Sequence, residues 1–472
     1  MGRSRNKPQM VANVRFTGLA DKGMAVGRDA EGHVIFAEGA VPGDVQDVLV
    51  IKRKKGVQFG VVKYLKEASP DRVEPFCAHF GSCGGCKWQH LSYEAQLRHK
   101  QQQVADAVRH IGRLDFDQLE SILGADETTY YRNKLEFGCA NRRWLTPEEI
   151  ATEVSTFDDV IGFHRPGVYD KILPIAHCWL QASPSNEIRN GIAALARSMQ
   201  LPFFDMREQK GLLRQLLVRT SSLGETMVII AFHRDENEQI QPFLQAIVAA
   251  FPEISTLIYC INPKLNEFLL DLEMRTFHGK GYIEEQLGHV RFVIGPKSFF
   301  QTNTRQAVRL YDLVVEMADC KGDENVYDLY TGIGSIALYV ADRVKKVVGI
   351  EEIGAAIEDA RLNAERNNIT NAVFYAGDVK NILTPAFADM HGKPDLLITD
   401  PPRAGMHPEV VSMLLQLAAP RVVYVSCNPA TQARDLQLLS ERYELKRLRP
   451  VDMFPHTSHV ESVALLELRS QD

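Results

Sequence analysis

The chain lacks most of the features that would mark it as secreted, membrane-embedded or a general polyanion binder. No apolar run approaches the ~18 residues that a membrane-spanning helix needs. The start, MGRSRNKPQM, is polar and basic, with no apolar stretch of a secretory leader, and Asn6 stands where a myristoylation signal requires Ser or Thr. Eight cysteines in 472 residues are too few for a disulfide scaffold and point instead to metal binding or catalysis in a reducing compartment. No basic excess is present, since the net charge is −6, and there is no internal repeat or low-complexity segment. These absences predict a cytoplasmic globular protein that spans no membrane. Its 45% hydrophobic and 24% charged residues are ordinary for that class. Its length suggests about three domains.

The charge is unevenly spread. Residues 1–66 hold twelve Lys and Arg against six Asp and Glu, which leaves about −12 on the remainder. In that basic region short apolar runs alternate with glycine turns (VANVRF, VIFAEGAVPGD, VQDVLVIKRKKG, VQFGVVKYL) and predict a small five-stranded barrel. Lys52-Arg53-Lys54-Lys55 falls at a hairpin, which is either a solvated turn or a phosphate-tracking edge. A cysteine-rich stretch follows at 69–93, then a polar helix over 94–112. Mixed α/β signals run to about 295, with strands in LLRQLLVRT, ETMVIIAFH and STLIYCI. From 304 strands and helices alternate, predicting a doubly wound, mostly parallel α/β sheet closed by a hairpin of YELKRLRPVDMF and ESVALLEL. The expected domains are therefore 1–68, 69–295 and 296–472, with residues about 94–128 packing on the last. The acidic segment TPEEIATEVSTFDD, within 141–165, reads as a mobile loop.

In the α/β region Asp328-Leu329-Tyr330-Thr331-Gly332-Ile333-Gly334 follows a strand and opens a helix. Its glycines let the backbone approach a ligand at a helix N-terminus. It is not the dinucleotide pattern G-x-G-x-x-G, because Ala337 takes the third glycine position. Glu351 ends the next strand, where an acid can bind ribose hydroxyls, and Asp378 ends the one after, where it can face an adenine amine. Together they point to an adenosine ligand, and the loop has the form found in S-adenosylmethionine methyltransferases.

Two further strand ends carry reactive groups. ITDPPRAG places Asp400, and VVYVSCNPAT places Cys427. A small buried thiol is the plain alternative for Cys427. The chemical reading joins it to Glu461 of HVESVALLEL. C5 of uracil is a poor nucleophile until a thiolate adds to C6, and after methyl transfer a base must remove the C5 proton. Cys427 and Glu461 supply those two groups, and Asp400 can orient the base. Arg403 after Pro401-Pro402 departs from the aromatic turn of amino-methyltransferases, and the turn lacks the cysteine of cytosine-C5 enzymes.

The stretches KSFFQTN, DLYTGIGS, GIEE, DPPRAG, SCNPAT and MFPHTSHVES, spread over residues 297–462, closely resemble the uracil-5 RNA methyltransferase family. The resemblance implies Cys427 as nucleophile and Glu461 as base. It also implies a cofactor and base pocket lined by Gln301, Tyr330, Glu351, Asp400, Asp328, Gly332 and Asp378, with Phe299 and Asn303 touching substrate. A lone aromatic such as Phe299 otherwise belongs to a core.

FCAHFGSCGGCKWQHL sets Cys77, Cys83 and Cys86 in C-x5-C-x2-C spacing, and Cys178 of IAHCWLQ is the best fourth ligand. Spacing alone suits zinc, and it is not the C-x3-C-x2-C of radical chemistry. The resemblance, to the 23S rRNA branch in particular, implies a [4Fe–4S] cluster on these four thiols. It also makes residues 10–66 an OB-like TRAM barrel that binds RNA, on a Rossmann-like methyltransferase domain. Cys139, Cys260 and Cys320 are expected to be structural. The expected activity is S-adenosylmethionine-dependent formation of 5-methyluridine in 23S rRNA, free or in a pre-ribosomal particle, by a monomer that binds no DNA. The alternatives are a tRNA uracil-54-type or dual-site rRNA enzyme, a non-catalytic ribosome-assembly factor that binds RNA, and a metal-sensing regulator.

Overall fold

The computed structural model describes residues 8–20, 23–116 and 118–470. The leader and myristoylation readings, which rest on residues 1–7 and Asn6, lie outside the described residues.

Strands Gln9–Leu19, Ala25–Arg28, Val34–Glu38, Val45–Lys54 and Val57–Glu67 close into a five-stranded barrel. Alternation drives Val14, Phe16, Ile35, Ala37, Val48 and Val50 into its core. The Lys52–Lys55 run lies at the exposed turn between its last two strands, with Lys55 and Gly56 at positive φ.

A second sheet of seven strands has the order Arg275–His278, Thr256–Ile261, Thr226–Phe232, Leu213–Thr220, Lys134–Arg142, Phe157–His164, Ile172–Pro174. It is antiparallel except for the Thr226–Phe232 and Thr256–Ile261 pair. The apolar faces of helices Ser185–Ser198 and Asn237–Ala250 pack into the same core. Here the reading of 141–165 is corrected. Pro147–Ala151 is a short helix and Phe157–His164 is a strand hydrogen-bonded on both sides. Its acidic residues obscured the strand. Asp158 and Glu149 pair with Arg143, while Val160 and Ile161 are buried.

The third sheet reads Ala372–Ala376, Lys346–Glu351, Asn325–Leu329, Leu396–Thr399, Arg421–Ser426, Glu461–Leu468, Tyr443–Val451. Its first five strands are parallel, and Glu461–Leu468 runs antiparallel between its neighbours. Helix Thr304–Ala318 covers one face with Leu310, Val314 and Met317, and Gly354–Arg366 adds Ile357 and Ala360. Strand order reverses between Asn325–Leu329 and Leu396–Thr399. That is the switch point where doubly wound sheets bind ligands.

Residues 93–116 and 118–123 pack on this third sheet. The helix Tyr93–Asp106 ends in a π turn, Ala107–Ile111, and Leu123 N donates to Pro450 O at 2.9 Å. Lys100 and Asp452 form a wholly buried ion pair at 2.6 Å, and Asp452 also accepts from Tyr93 Oη at 3.0 Å. Among the described residues no helix is long and apolar enough to cross a membrane.

Candidate active site

The loop Tyr330–Gly334 turns sharply off its strand. Tyr330, Gly332 and Gly334 all adopt positive φ, at 64°, 57° and 80°. Gly334 caps helix Ser335–Val340 in the left-handed conformation, and a Cβ there would press on Phe374 and Ala360. Asp328 beneath the loop is 1% exposed. Its Oδ2 accepts from Thr331 Oγ1 at 2.5 Å and from Ala337 N at 3.1 Å, while Oδ1 is buried without a partner. Burial pushes this carboxyl up to about 7. Glu351 at the next strand end accepts from Gly332 N at 3.1 Å and Ile353 N at 3.0 Å, tying the two strand ends together. Asp378 caps the following helix through Lys380 N and pairs with Lys380 Nζ at 3.0 Å, which holds it below the usual carboxylate range. Burial, with the carboxylates of Asp378 and Asp435 next, pushes the Tyr330 hydroxyl up to about 12.

Cys427 owes its place to local chemistry. Asn428 N donates to Ser426 Oγ at 3.1 Å, Asn428 Oδ1 accepts from Ala430 N, and Pro429 takes the first position of helix Pro429–Leu439. Strand end, turn and helix start thus occupy four residues, with the thiol at their junction. The antiparallel ladder ends at the pair Ser426–Ser462, so Cys427, just after it, and Glu461, just before it, leave the sheet at the same end, and the Glu461 carboxylate acts on the thiol.

Asp400 follows the Leu396–Thr399 strand, its N–H reaching Leu329 O at 3.3 Å. Burial pushes Asp400 up to about 7. Glu461, 6% exposed, is pushed up to about 8, by burial first and then by Asp400, with Arg403 opposing. Burial, then the Glu461 and Asp400 carboxylates, pushes the Cys427 thiol up to about 11. The edge is therefore a nest of carboxyl groups and a thiol that favours a cation.

Gln301 is half-buried, its carbonyl accepting from Asn133 Nδ2 at 2.9 Å. Phe299 is 74% exposed, which overturns its reading as an ordinary core aromatic. Its neighbour Phe300 takes the core position. Asn303 is buried. It caps helix Thr304–Ala318 through Gln306 N and donates to Met453 O at 2.9 Å, so its amide makes hydrogen bonds within the fold. Sequence reasoning missed Arg403, whose charge acts on the Cys427 thiol and the Glu461 carboxyl, and His459, 3.3 Å from it. Arg403 was legible as the residue breaking the Pro-Pro-aromatic pattern.

The loop into Glu461 is clamped from outside. His456 O accepts from Lys87 N at 2.8 Å and Trp88 N at 3.0 Å, and His456 N donates to Gln96 Oε1 at 2.8 Å. Lys87 directly follows the cysteine segment. Cys77, Cys83, Cys86 and Cys178 line one cavity of about 370 Å³, together with His79, Phe80 and Trp179. Burial pushes Cys83 up to about 11 and Cys86 to about 12, and the other thiols of the set raise both further. Cys178 is also raised, by burial first. Cys139 and Cys260 are buried and Cys320 half-buried, away from this set.

Residues 219–469 match the model of the tRNA (uracil-5-)-methyltransferase family. The chain is 50% identical over 458 residues to an uncharacterised RNA methyltransferase of Bacteroides thetaiotaomicron, covering 96% of this chain and all of that one. It is 38% identical over 466 residues to another from Chlorobaculum tepidum, covering 97% and 96% of the two chains. Among solved structures it resembles the Pyrococcus abyssi tRNA (uracil-54, C5)-methyltransferase in complex with S-adenosyl-L-homocysteine, with a TM-score of 0.76 and 28% identity over 96% of this chain and 99% of that one.

Proposed function

The chain belongs to the tRNA (uracil-5-)-methyltransferase family, S-adenosylmethionine-dependent enzymes that act on RNA, and from that premise we propose that it converts one uridine of 23S rRNA to 5-methyluridine. The observation that carries the proposal is the meeting of Cys427, Glu461 and Asp400, each acting on the next, at one end of the third sheet. The target base is turned out of its stack to reach them. Cys427 Sγ, as thiolate, adds to C6. The electron pair then held at C5 takes the methyl group. Glu461 removes the C5 proton and the C6–S bond breaks, returning the thiolate. Asp400 orients the base edge. Tyr330, Glu351, Gly332, Asp328, Asp378 and Gln301 hold the cofactor, and exposed Phe299 meets RNA. When bound, S-adenosylmethionine supplies the methyl group and a positive charge. The unpartnered Asp328 Oδ1 and the raised carboxyl groups fit that cation.

The barrel, with its basic exposed turn, is proposed to hold flanking RNA by its phosphates, and the four thiols to hold a [4Fe–4S] cluster. One feature supports the cluster. Arg189 is 0% exposed beside Cys178, with Nε unpartnered and neutral hydrogen-bond acceptors at its other nitrogens, and Cys178 acts on its charge ahead of Glu187. A buried cation with no carboxylate in hydrogen-bonding contact matches an anionic thiolate cluster. Such a centre would brace the Lys87–Trp88 clamp on His456, since methyl transfer needs no electron.

The rRNA reading rests on the resemblance of the barrel and the thiol set to the 23S rRNA branch. The second reading is tRNA, favoured by the Pyrococcus likeness over nearly the whole chain. Labelled S-adenosylmethionine, offered with unmethylated 23S rRNA and with tRNA, separates them by nucleoside analysis. Label as 5-methyluridine in 23S rRNA is expected. Label in tRNA alone overturns the substrate, and label in neither overturns the activity.

A further inference from the structure

A run of rings and cations leads away from the catalytic edge, and the chemistry above leaves it unused. Arg403 Nη2 lies 3.3 Å from His459 Nδ1, and His459 stands edge-on to Phe454 with centroids 6.4 Å apart. Arg132 lies over the Phe454 ring at 5.8 Å. Two residues earlier, Tyr130 leans on Trp179 at 5.5 Å, its hydroxyl 3.0 Å from His177 Nε2. Phe76 meets Trp179 edge-on at 5.6 Å and His456 at 5.2 Å.

The rings at the far end of the run are not core. Tyr130, His177 and Phe76 are exposed and Trp179 is half-buried. Tyr130 is held at φ 54°, a strained conformation for a bulky residue, by its N–H donating to Trp179 O at 2.7 Å. The other end of the same segment is fixed beside Gln301 of the cofactor pocket. Asn133 N donates to Thr302 O and Asn133 Nδ2 to Gln301 O, at 2.8 and 2.9 Å. Platform and pocket are therefore joined by a segment that spans at most about 10 Å.

Interleaved π faces and cations are what a single-stranded nucleic acid requires, rings for its bases and cations for its phosphates. We propose that this track binds the nucleotides flanking the target uridine, with an unpaired base stacked on Tyr130 and Trp179 and its phosphate facing Arg132. The proposal rests on the RNA-methylation reading and names where the strand leaves the pocket.

Binding of full-length wild type, Tyr130→Ala, Trp179→Ala and Trp179→Phe to unmethylated 23S rRNA and to tRNA tests it, alongside S-adenosylhomocysteine binding and methylation kinetics. Each alanine variant should weaken RNA binding about 5- to 150-fold, the range for one stacked base. KM for RNA should rise while kcat at saturation and cofactor affinity hold, and Trp179→Phe should restore most of the loss. Tyr130→Ala leaves the residue next to Cys178 intact, so it separates stacking from damage to the thiol cavity. Wild-type RNA affinity in both alanine variants overturns the track. Weakened variants of a wild type that binds RNA but forms no 5-methyluridine support the track and overturn the methylation reading. A wild type that binds neither RNA overturns both.

Discussion

Replacing Lys100 by Met tests whether the loop that delivers Glu461 is held by a buried charge pair. Lys100 Nζ lies 2.6 Å from Asp452 Oδ1, and both side chains are wholly buried. Burial pulls the ammonium below its ordinary pKa, and Asp452 opposes that. Lys100 also donates to Phe454 O at 3.0 Å, so it ties two residues of the 452–460 loop. Met fills the volume but leaves Asp452 with only Tyr93 Oη and Phe454 N as donors. Breaking one half of a buried pair costs about 3–5 kcal/mol. Lys100→Met should therefore lower stability by that amount in urea or thermal unfolding followed by a probe of the C-terminal sheet. Lys100→Met with Asp452→Asn should recover part of the loss, because the stranded charge is gone, giving a coupling energy of about 1–3 kcal/mol. A single variant within about 1 kcal/mol of wild type, or additive losses in the double variant, would refute the reasoning.

Three further outcomes follow from the site. Cys427→Ala should abolish both methyl transfer and covalent trapping by 5-fluorouridine RNA, whereas Glu461→Gln should accumulate the protein–RNA adduct on gels; normal turnover in either variant moves that role elsewhere. Raised carboxyl pKa values mean the folded apoprotein binds more protons than the unfolded chain, so its stability should fall as pH rises from about 4 toward 8, through the raised values of Asp328, Asp400 and Glu461. The sulfonium should relieve this, so S-adenosylmethionine affinity should improve about tenfold from pH 6 to pH 8 for each group near 7 that must ionise; calorimetry showing a flat profile, or the same slope in Asp400→Asn, would rule it out. Arg189→Met should lower iron content and bleach visible absorbance in anaerobically purified protein, with Arg189→Lys partly restoring both; colourless wild type carrying one zinc would overturn the cluster itself.

What the sequence determined by itself was held within about ten residues at a time. The five barrel strands follow from period-two alternation between glycine turns. The Thr304–Ala318 helix follows from its apolar periodicity and its Asn303 cap. The turn Ser426–Pro429 has its own hydrogen bonds, so its shape was legible in those residues alone. The acids at the strand ends were legible too, because each closes an apolar run. Even locally there were failures. Acidic residues masked the Phe157–His164 strand, since its buried run, Val160 to Gly162, is short and unalternating and Asp158 finds its arginine partner only in the fold. Nor could the pattern FF say which ring turns outward; the fold exposes Phe299 and buries Phe300.

Only tertiary structure decided the long-range meetings. Cys427 comes within reach of the Glu461 charge because the last strand inserts antiparallel between two others, a register no local pattern sets. Lys100 finds Asp452 across 352 residues. Cys178 joins three thiols about ninety positions earlier in one cavity. The raised pKa values of Asp400, Glu461 and Cys427 arise only when burial withdraws water and sets their charges side by side. Sequence names the groups and their local geometry. Desolvation and proximity, which give those groups their chemistry, exist only in the folded chain.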